Sequence, residues 1–313
     1  MISAKIIADS KNKFGDRLTT MVVTFPRIIL AEVNTHRMFS RNSASSRAIP
    51  FEKMVKMVEE NPFIPIKFMK DHSGMQGNEY FTDEEVKDLP LLERWLQAKD
   101  KAIENAKELS YYGLTKQIVN RLLEPFMWHT AIISATEWEN FFALRNHEAA
   151  EIHLQELARI MMLAYNSSEP KLLKDGEWHI PFGDNIDEER LFNCLNGTEK
   201  FDDLYTNGFE QFKIKISTAR CARVSYLNFE GKDDYEADLK LYDRLAEMGH
   251  FSPMEHCAKS MSLDERNRNY ITRKFVNHNE SKEYGWCANF KGFIQLRKSF
   301  ENENRKDERV IKK

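Results

Sequence analysis

Two runs of apolar and β-branched residues open the chain. AKIIAD (Ala4–Asp9) alternates and LTTMVVTF (Leu18–Phe25) is nearly continuous, so both read as strands joined by the polar turn KNKFGD. Pro26 stands where a helix begins, and Ile28, Ile29, Leu30 and Val33 give RIILAEVNTHR a helical spacing. The pattern then reverses. MFSRNSASSRAIP is dense in Ser, Arg and Asn, and reads as a loop with the capacity to bind a ligand. Phe51–Glu60 has helical period, and Asn61–Gly77 is irregular. Thr82 followed by DEE signals a helix start. After Pro90 a long amphipathic helix runs to Gly113, and LTKQIVNRLLEP adds a turn or two before Pro125.

Phe126–Ser134 is apolar and β-prone. Thr136 reads as the cap of EWENFFALR, and HEAAEIHLQELARIMMLAY as the strongest helix. Between Asn166 and Asn207 the pattern loosens, as expected of an insertion or a subdomain join. Helical signals return at ISTARCARVSYL and at DYEADLKLYDRLAEMG, before HFSPMEH and a strand-like CAKSMSL. The whole is mixed α and β, with helices dominant.

Composition narrows the class. The 313 residues carry 46 Lys and Arg against 49 Asp and Glu, a net charge of -3, which disfavours wholesale nucleic-acid binding. No apolar run approaches the ~20 residues that span a bilayer, and MISAKIIADSKNKFG lacks the apolar core of a signal peptide. Four scattered cysteines without a C-x-x-C make a disulfide framework or a cysteine zinc site improbable, so a globular protein of a reducing compartment is expected.

Three constellations carry chemistry. His36 and Arg37 precede Ser40, Asn42, Ser43, Ser45, Ser46 and Arg47, a set of guanidiniums and hydroxyls suited to phosphate. In HFSPMEH, two histidines and Glu255 invite a metal. Pro253 breaks helical spacing and no third histidine lies at a familiar interval, so a helix start or a cofactor contact is the stronger reading. Arg145 ends NFFALR, and Arg121 lies in NRLLEP; as isolated residues both read as surface salt-bridge arginines. His147 and His153 read as packed side chains. No G-x-S-x-G, G-x-G-x-x-G or Walker loop occurs.

Together these segments resemble the flavin-dependent thymidylate synthases, the ThyX family. Thr35-His36-Arg37 with Ser45-x-Arg47 keeps the spacing of the family's Arg-His-Arg motif, with Thr35 in place of the first Arg. NRLLEP is similar to the family's A-R-x-x-L-P, NFFALR to its N-F-x-x-L-R, and ARCARVSY…GHFSPMEH to its A-A-R-V-S-Y…G-H-x-S-P-F-E-H block. That block precedes the Arg-His-Arg motif in the family and here follows it, at Ala219–His256, as in a circular permutation. Glu32 stands where the family has a nucleotide-holding glutamine, and Ser43 where it has a glutamate.

The resemblance implies a single α+β domain over 1–313, with an antiparallel sheet flanked by long helices in permuted order and insertions near 61–80 and 172–214. It implies reductive C5 methylation of dUMP to dTMP with FAD, methylenetetrahydrofolate and NADPH, in a homotetramer with shared active sites; a cytoplasmic location and the absence of nucleic acid, membrane and metal are expected from the composition and spacing above. Arg145 would polarise the pyrimidine. His36, Arg37, Asn140, His250, Ser252 and Glu255 would hold FAD; Ser43, Ser45, Ser46, Arg47 and Arg121 would hold the nucleotide. Arg297, in ANFKGFIQLRK, is a second candidate for the role of Arg145. The departures at Thr35, Glu32 and Ser43 keep open a hydroxymethylase, a dCMP-acting enzyme, or a non-catalytic nucleotide- or flavin-binding module.

Overall fold

The computed structural model describes residues 1–74, 77, 79–196, 198, 201–226, 233–274 and 280–303. Its first half contains β1 (Ser3–Asn12), β2 (Arg17–Pro26), α1 (Leu30–Val33), β3 (Ser40–Ser43), α2 (Phe51–Glu60), α3 (Asp83–Asp88), α4 (Leu91–Tyr111) and α5 (Lys116–Val119). Next come β4 (Trp128–Ala135), α6 (Glu139–Arg145), α7 (Ile152–Ser167), β5 (Lys171–Leu173), β6 (Trp178–His179) and α8 (Glu188–Leu195). The remainder is α9 (Phe201–Arg223), α10 (Tyr235–Met248), β7 (Ala258–Ser260), α11 (Leu263–Arg268), β8 (Tyr270–Lys274), β9 (Glu280–Tyr284), β10 (Trp286–Cys287), β11 (Phe290–Lys291) and β12 (Phe293–Gln295).

The fold is α+β. Its principal sheet has the order β3-β4-β2-β1-β5, antiparallel except for the β1–β5 pair. β2 is buried along both faces, which is why its sequence runs apolar without strict alternation. Met21, Val23 and Phe25 pack with Leu154, Leu157 and Met161 of α7, while Val22 and Ile132 pack with Cys221 in the last turn of α9 and with Val224 just beyond it. A second sheet, β12-β7-β6, lies beside the first and takes one strand from 178–179 and another from near the C-terminus. The 166–207 stretch read as a join thus supplies a strand to each sheet. Part of 61–80 and of 172–214 lies outside the described residues.

Two boundaries differ from the expected ones. The long helix after His147 starts only at Ile152, because Glu151 takes the N-cap and accepts from the amides of His153 and Leu154. Thr136 does not cap α6; its hydroxyl accepts from the amide of Lys291 instead. Among the described residues no helix is long and apolar enough to cross a membrane.

Candidate active site

The polar segment read as a loop contains a strand. β3 pairs with β4 through Ser40↔Ser134 and Asn42↔Ile132, and it forms an edge of the sheet, where a polar sequence is expected. Ala44 continues the attachment by donating to Thr130 O at 2.8 Å, and the Ser45 amide donates to Ser225 O at 3.1 Å. The entry to β3 is held by Arg41, whose Nη1 donates to the carbonyls of Val33 and His36 at 3.0 Å each.

His36 is buried and Arg145 half-buried, and they meet. The Nε–H of Arg145 donates to His36 Nε2 at 2.9 Å, and Nη2 donates to Thr35 Oγ1 at 3.1 Å. His36 lies edge-on to Phe141, a turn before Arg145 on α6. Burial, then the charges of Arg145 and Arg41, push the His36 pKa down to about 4. His36 is therefore a neutral acceptor for the Arg145 guanidinium at pH 7. An arginine at position 35 would face that guanidinium with like charge; Thr35 accepts from it.

The turn Ser252–Glu255 packs against β3 from the other side. The Asn42 side-chain amide is assigned with its nitrogen toward Ser252 O at 3.1 Å and Arg41 O at 3.2 Å, since two carbonyls there cannot face an amide oxygen, and this leaves that nitrogen 3.1 Å from His256 Nε2. Glu255 pairs with Arg297, which also pairs with Glu303. Arg297 is thus occupied by two carboxylates. His250 is exposed, just beyond the left-handed C-cap Gly249 (φ 73). Ser252 is exposed and His256 fully buried, so the two histidines of HFSPMEH do not share an environment. Among the described residues no group of three or more His, Cys, Asp or Glu is placed to hold a metal ion.

The other expected residues are spread along the same edge. Ser46 is buried and its hydroxyl donates to Glu124 Oε1 at 2.8 Å, a carboxylate that also pairs with Arg27 and stands 3.9 Å from exposed Arg121. Ser43 and Ser45 are half-buried; Arg37, Arg47 and Asn140 are exposed. Asn140 shares α6 with Arg145. His153, read as a packed side chain, is buried, pairs with Glu151 and accepts from the Ile66 amide. Exposed His147 accepts from the Ala149 amide. A cleft of about 790 Å³ between α3 and α4, lined by Val86, Pro90, Leu92 and Leu96, contains none of these residues.

Arg41, Asn42 and His256 hold the site together, and the sequence reading did not single them out for that work. Asn289 and Gln295 belong with them. Asn289 donates to Met38 O and to Ser40 Oγ at 3.0 Å each, and Gln295 donates to Asn289 Oδ1 at 2.8 Å. Their only sequence signal was the Asn and Arg of ANFKGFIQLRK.

A family model described as thymidylate synthase complementing protein, Thy1, matches residues 17–170, a span that contains Thr35–Arg47, Arg121, Asn140 and Arg145. No curated protein matches the chain. Two solved structures of the UMP/dUMP methylase PolB from Streptomyces cacaoi are similar to it at 13% identity. The one bound with 5-Br UMP has a TM-score of 0.43 and covers 53% of this chain and 88% of its own. The one bound with 5-Br dUMP has a TM-score of 0.42 and covers 53% and 90%. Residues 17–170 are thus similar to the thymidylate synthase complementing protein family, ThyX, the family the motifs resemble.

Proposed function

We propose that the chain is a flavin-dependent pyrimidine-nucleotide C5 methylase, converting dUMP to dTMP with methylenetetrahydrofolate and NADPH as co-substrates. The observation that carries the reading is the contact of Arg145 with Thr35 and His36, which joins two motifs 109 residues apart in sequence. The donor set suits FAD. Arg37 and Arg47 are exposed and form no ion pair among the described residues, which leaves both open to phosphate, and Ser252 and Asn140 offer exposed polar groups. His36, Arg37, Asn140, His250, Ser252 and Glu255 would hold that group, and reduced FAD would supply the hydride.

A guanidinium has five N–H donors. Two of those on Arg145 are committed to His36 and Thr35, so the rest can meet a ring carbonyl and stabilise the charge that develops as N3 loses its proton. Ser43, Ser45, Ser46, Arg47 and Arg121 would grip the nucleotide. A thiolate route is disfavoured: Cys221, Cys257 and Cys287 are buried and burial raises all three pKa values, that of Cys257 to about 11. The reading takes 1–313 as one catalytic domain with a permuted 219–256 block, acting as a cytoplasmic homotetramer whose subunits share sites.

One observation favours a second reading. Glu32 has a buried Oε2 with no hydrogen-bond partner among the described residues. A carboxylate accepts N–H, as from the exocyclic amine of a cytosine nucleotide. The test is the absorbance spectrum of the purified protein with and without dUMP, then mass spectrometry of the product from dUMP and from dCMP. Protein that takes up no FAD defeats the proposal, and an added oxygen in the product identifies hydroxymethylation.

A further inference from the structure

A line of buried polar side chains crosses the core under the principal sheet. His256 Nδ1 lies 2.8 Å from Ser134 Oγ, Ser134 Oγ 2.6 Å from Thr20 Oγ1, Thr20 Oγ1 2.8 Å from His179 Nε2, and His179 Nδ1 2.9 Å from Ser10 Oγ. Strand register accounts for its centre, since Thr20 and Ser134 are directly paired across β2 and β4. All five side chains are at most 5% exposed. At one end His256 meets Asn42, and at the other Ser10 lines a cavity of about 300 Å³ with Asp9, Lys171 and Asp184.

The polarity of this line can be read at the Asn42 end. Two backbone carbonyls, Ser252 O and Arg41 O, require the amide nitrogen there, and His256 Nε2 at 3.1 Å shares one of its two N–H bonds, since an Nε2–H would point at a nitrogen that cannot accept. A ring nitrogen that accepts carries no proton, so the His256 proton is on Nδ1 and goes to Ser134. The arrangement that gives both the Ser134 and the Thr20 proton an acceptor then runs from Ser134 to Thr20, from Thr20 to His179 Nε2, and from His179 Nδ1 to Ser10. Burial keeps both rings neutral, with each pKa pushed down to about 3.

We propose that Ser134, Thr20, His179 and His256 are positioning residues that fix the orientation of the Asn42 amide and thereby hold the Ser252–Glu255 turn against β3. Removing the Ser134 hydroxyl strands the Nδ1–H of His256 in the core. Moving the proton to Nε2 relieves that but drives it against the Asn42 nitrogen, which must turn away from both carbonyls and release the turn. The consequence for ligand binding rests on the reading of that turn as a flavin contact; the orientation itself does not.

The experiment is ¹⁵N NMR of histidine- and asparagine-labelled full-length protein, wild type, Ser134→Ala and Ser134→Thr, with FAD affinity by fluorescence quenching. Wild type is expected to show neutral, Nδ1-protonated His256 and His179 and slowly exchanging Asn42 side-chain amide protons. Ser134→Ala is expected to shift the His256 tautomer, to speed Asn42 exchange and to weaken FAD binding about tenfold, the scale of one lost buried hydrogen bond. Ser134→Thr, which keeps the hydroxyl, is expected to restore all three. Wild-type His256 protonated on Nε2 overturns the proposal even where the Ala variant does not fold. So does a folded Ser134→Ala with unchanged His256 and Asn42 signals. Wild type that binds no FAD but shows the expected tautomers defeats the flavin reading and upholds the positioning chain.

Discussion

Thr35 stands where the family motif has its first arginine, and its hydroxyl receives the guanidinium of Arg145. This gives Arg145 two fixed partners and leaves its other N–H donors uncommitted among the described residues, as the role proposed for it requires. Arg145→Ala is expected to lower turnover by about 10²–10³ with FAD still bound, measured as kcat alongside flavin fluorescence; persistent turnover would move the role to another residue. Arg297 is the poorer substitute, since Glu255 and Glu303 already neutralise it. A second expectation separates two residues the motif treats alike. Ser46 gives its proton to Glu124, whereas Arg47 is exposed and without an ion pair among the described residues. Arg47→Ala should therefore raise the KM for the nucleotide more than Ser46→Ala does. Equal effects would mean that Ser46 turns from Glu124 to the ligand.

At the level of elements, local signals were read well where local physics decides. α2 and α10 lie where their periodicity put them, and the α3 capping box at Thr82 and Glu85 is present. Local signals mislead where a distant partner displaces a local one, as where the Lys291 amide engages the hydroxyl of Thr136. The short strands near the C-terminus were invisible for the same reason: two or three residues carry no period, and Phe293–Gln295 is a strand because Ala258–Ser260 pairs with it. Gly292 shows how tightly that region is fitted. Its φ is +76, its carbonyl accepts from Asn12 Nδ2 and from the Met261 amide, and an added Cβ would collide with the side chains of Asn12 and Asp16. Gly292→Ala should destabilise by about 2–4 kcal/mol through strain and overpacking. Gly176→Ala, at a similar φ of +84 with open space around it, should cost only about 1 kcal/mol. Urea unfolding of both variants is the check. Equal losses would make backbone strain the whole effect and remove the argument from packing.

The molecule as a whole brings residues near 290 back to the first 40. Asn289 reaches Ser40, and Asn12 reaches Gly292 across 280 residues, contacts that no sequence window contains. The candidate site was legible as a set of motifs, because each motif is local. Its assembly was not, because Asn42, His256 and Gln295 acquire their roles only from long-range packing.

That packing also sets how stability responds to acid. His36 is pushed down to about 4, and His129, His179 and His256 to about 3, by burial in every case first. In the unfolded chain all four titrate near 6.5. Between about pH 6.5 and 4 the unfolded state therefore binds protons that the native state refuses, and stability falls as pH falls. Asp238 opposes this. Burial raises its pKa to about 6, so below that value the native state holds a proton that the unfolded chain gives up until about 4. Four histidines against one aspartate leave a net uptake of about three protons on unfolding near pH 5 from these groups. The urea midpoint should be flat from pH 8 to 7 and then drop steeply toward pH 4.5. A midpoint unchanged over that interval would mean that the native interior accepts the histidine charges, and neither the neutral His36 beside Arg145 nor the neutral chain through His256 and His179 would survive it.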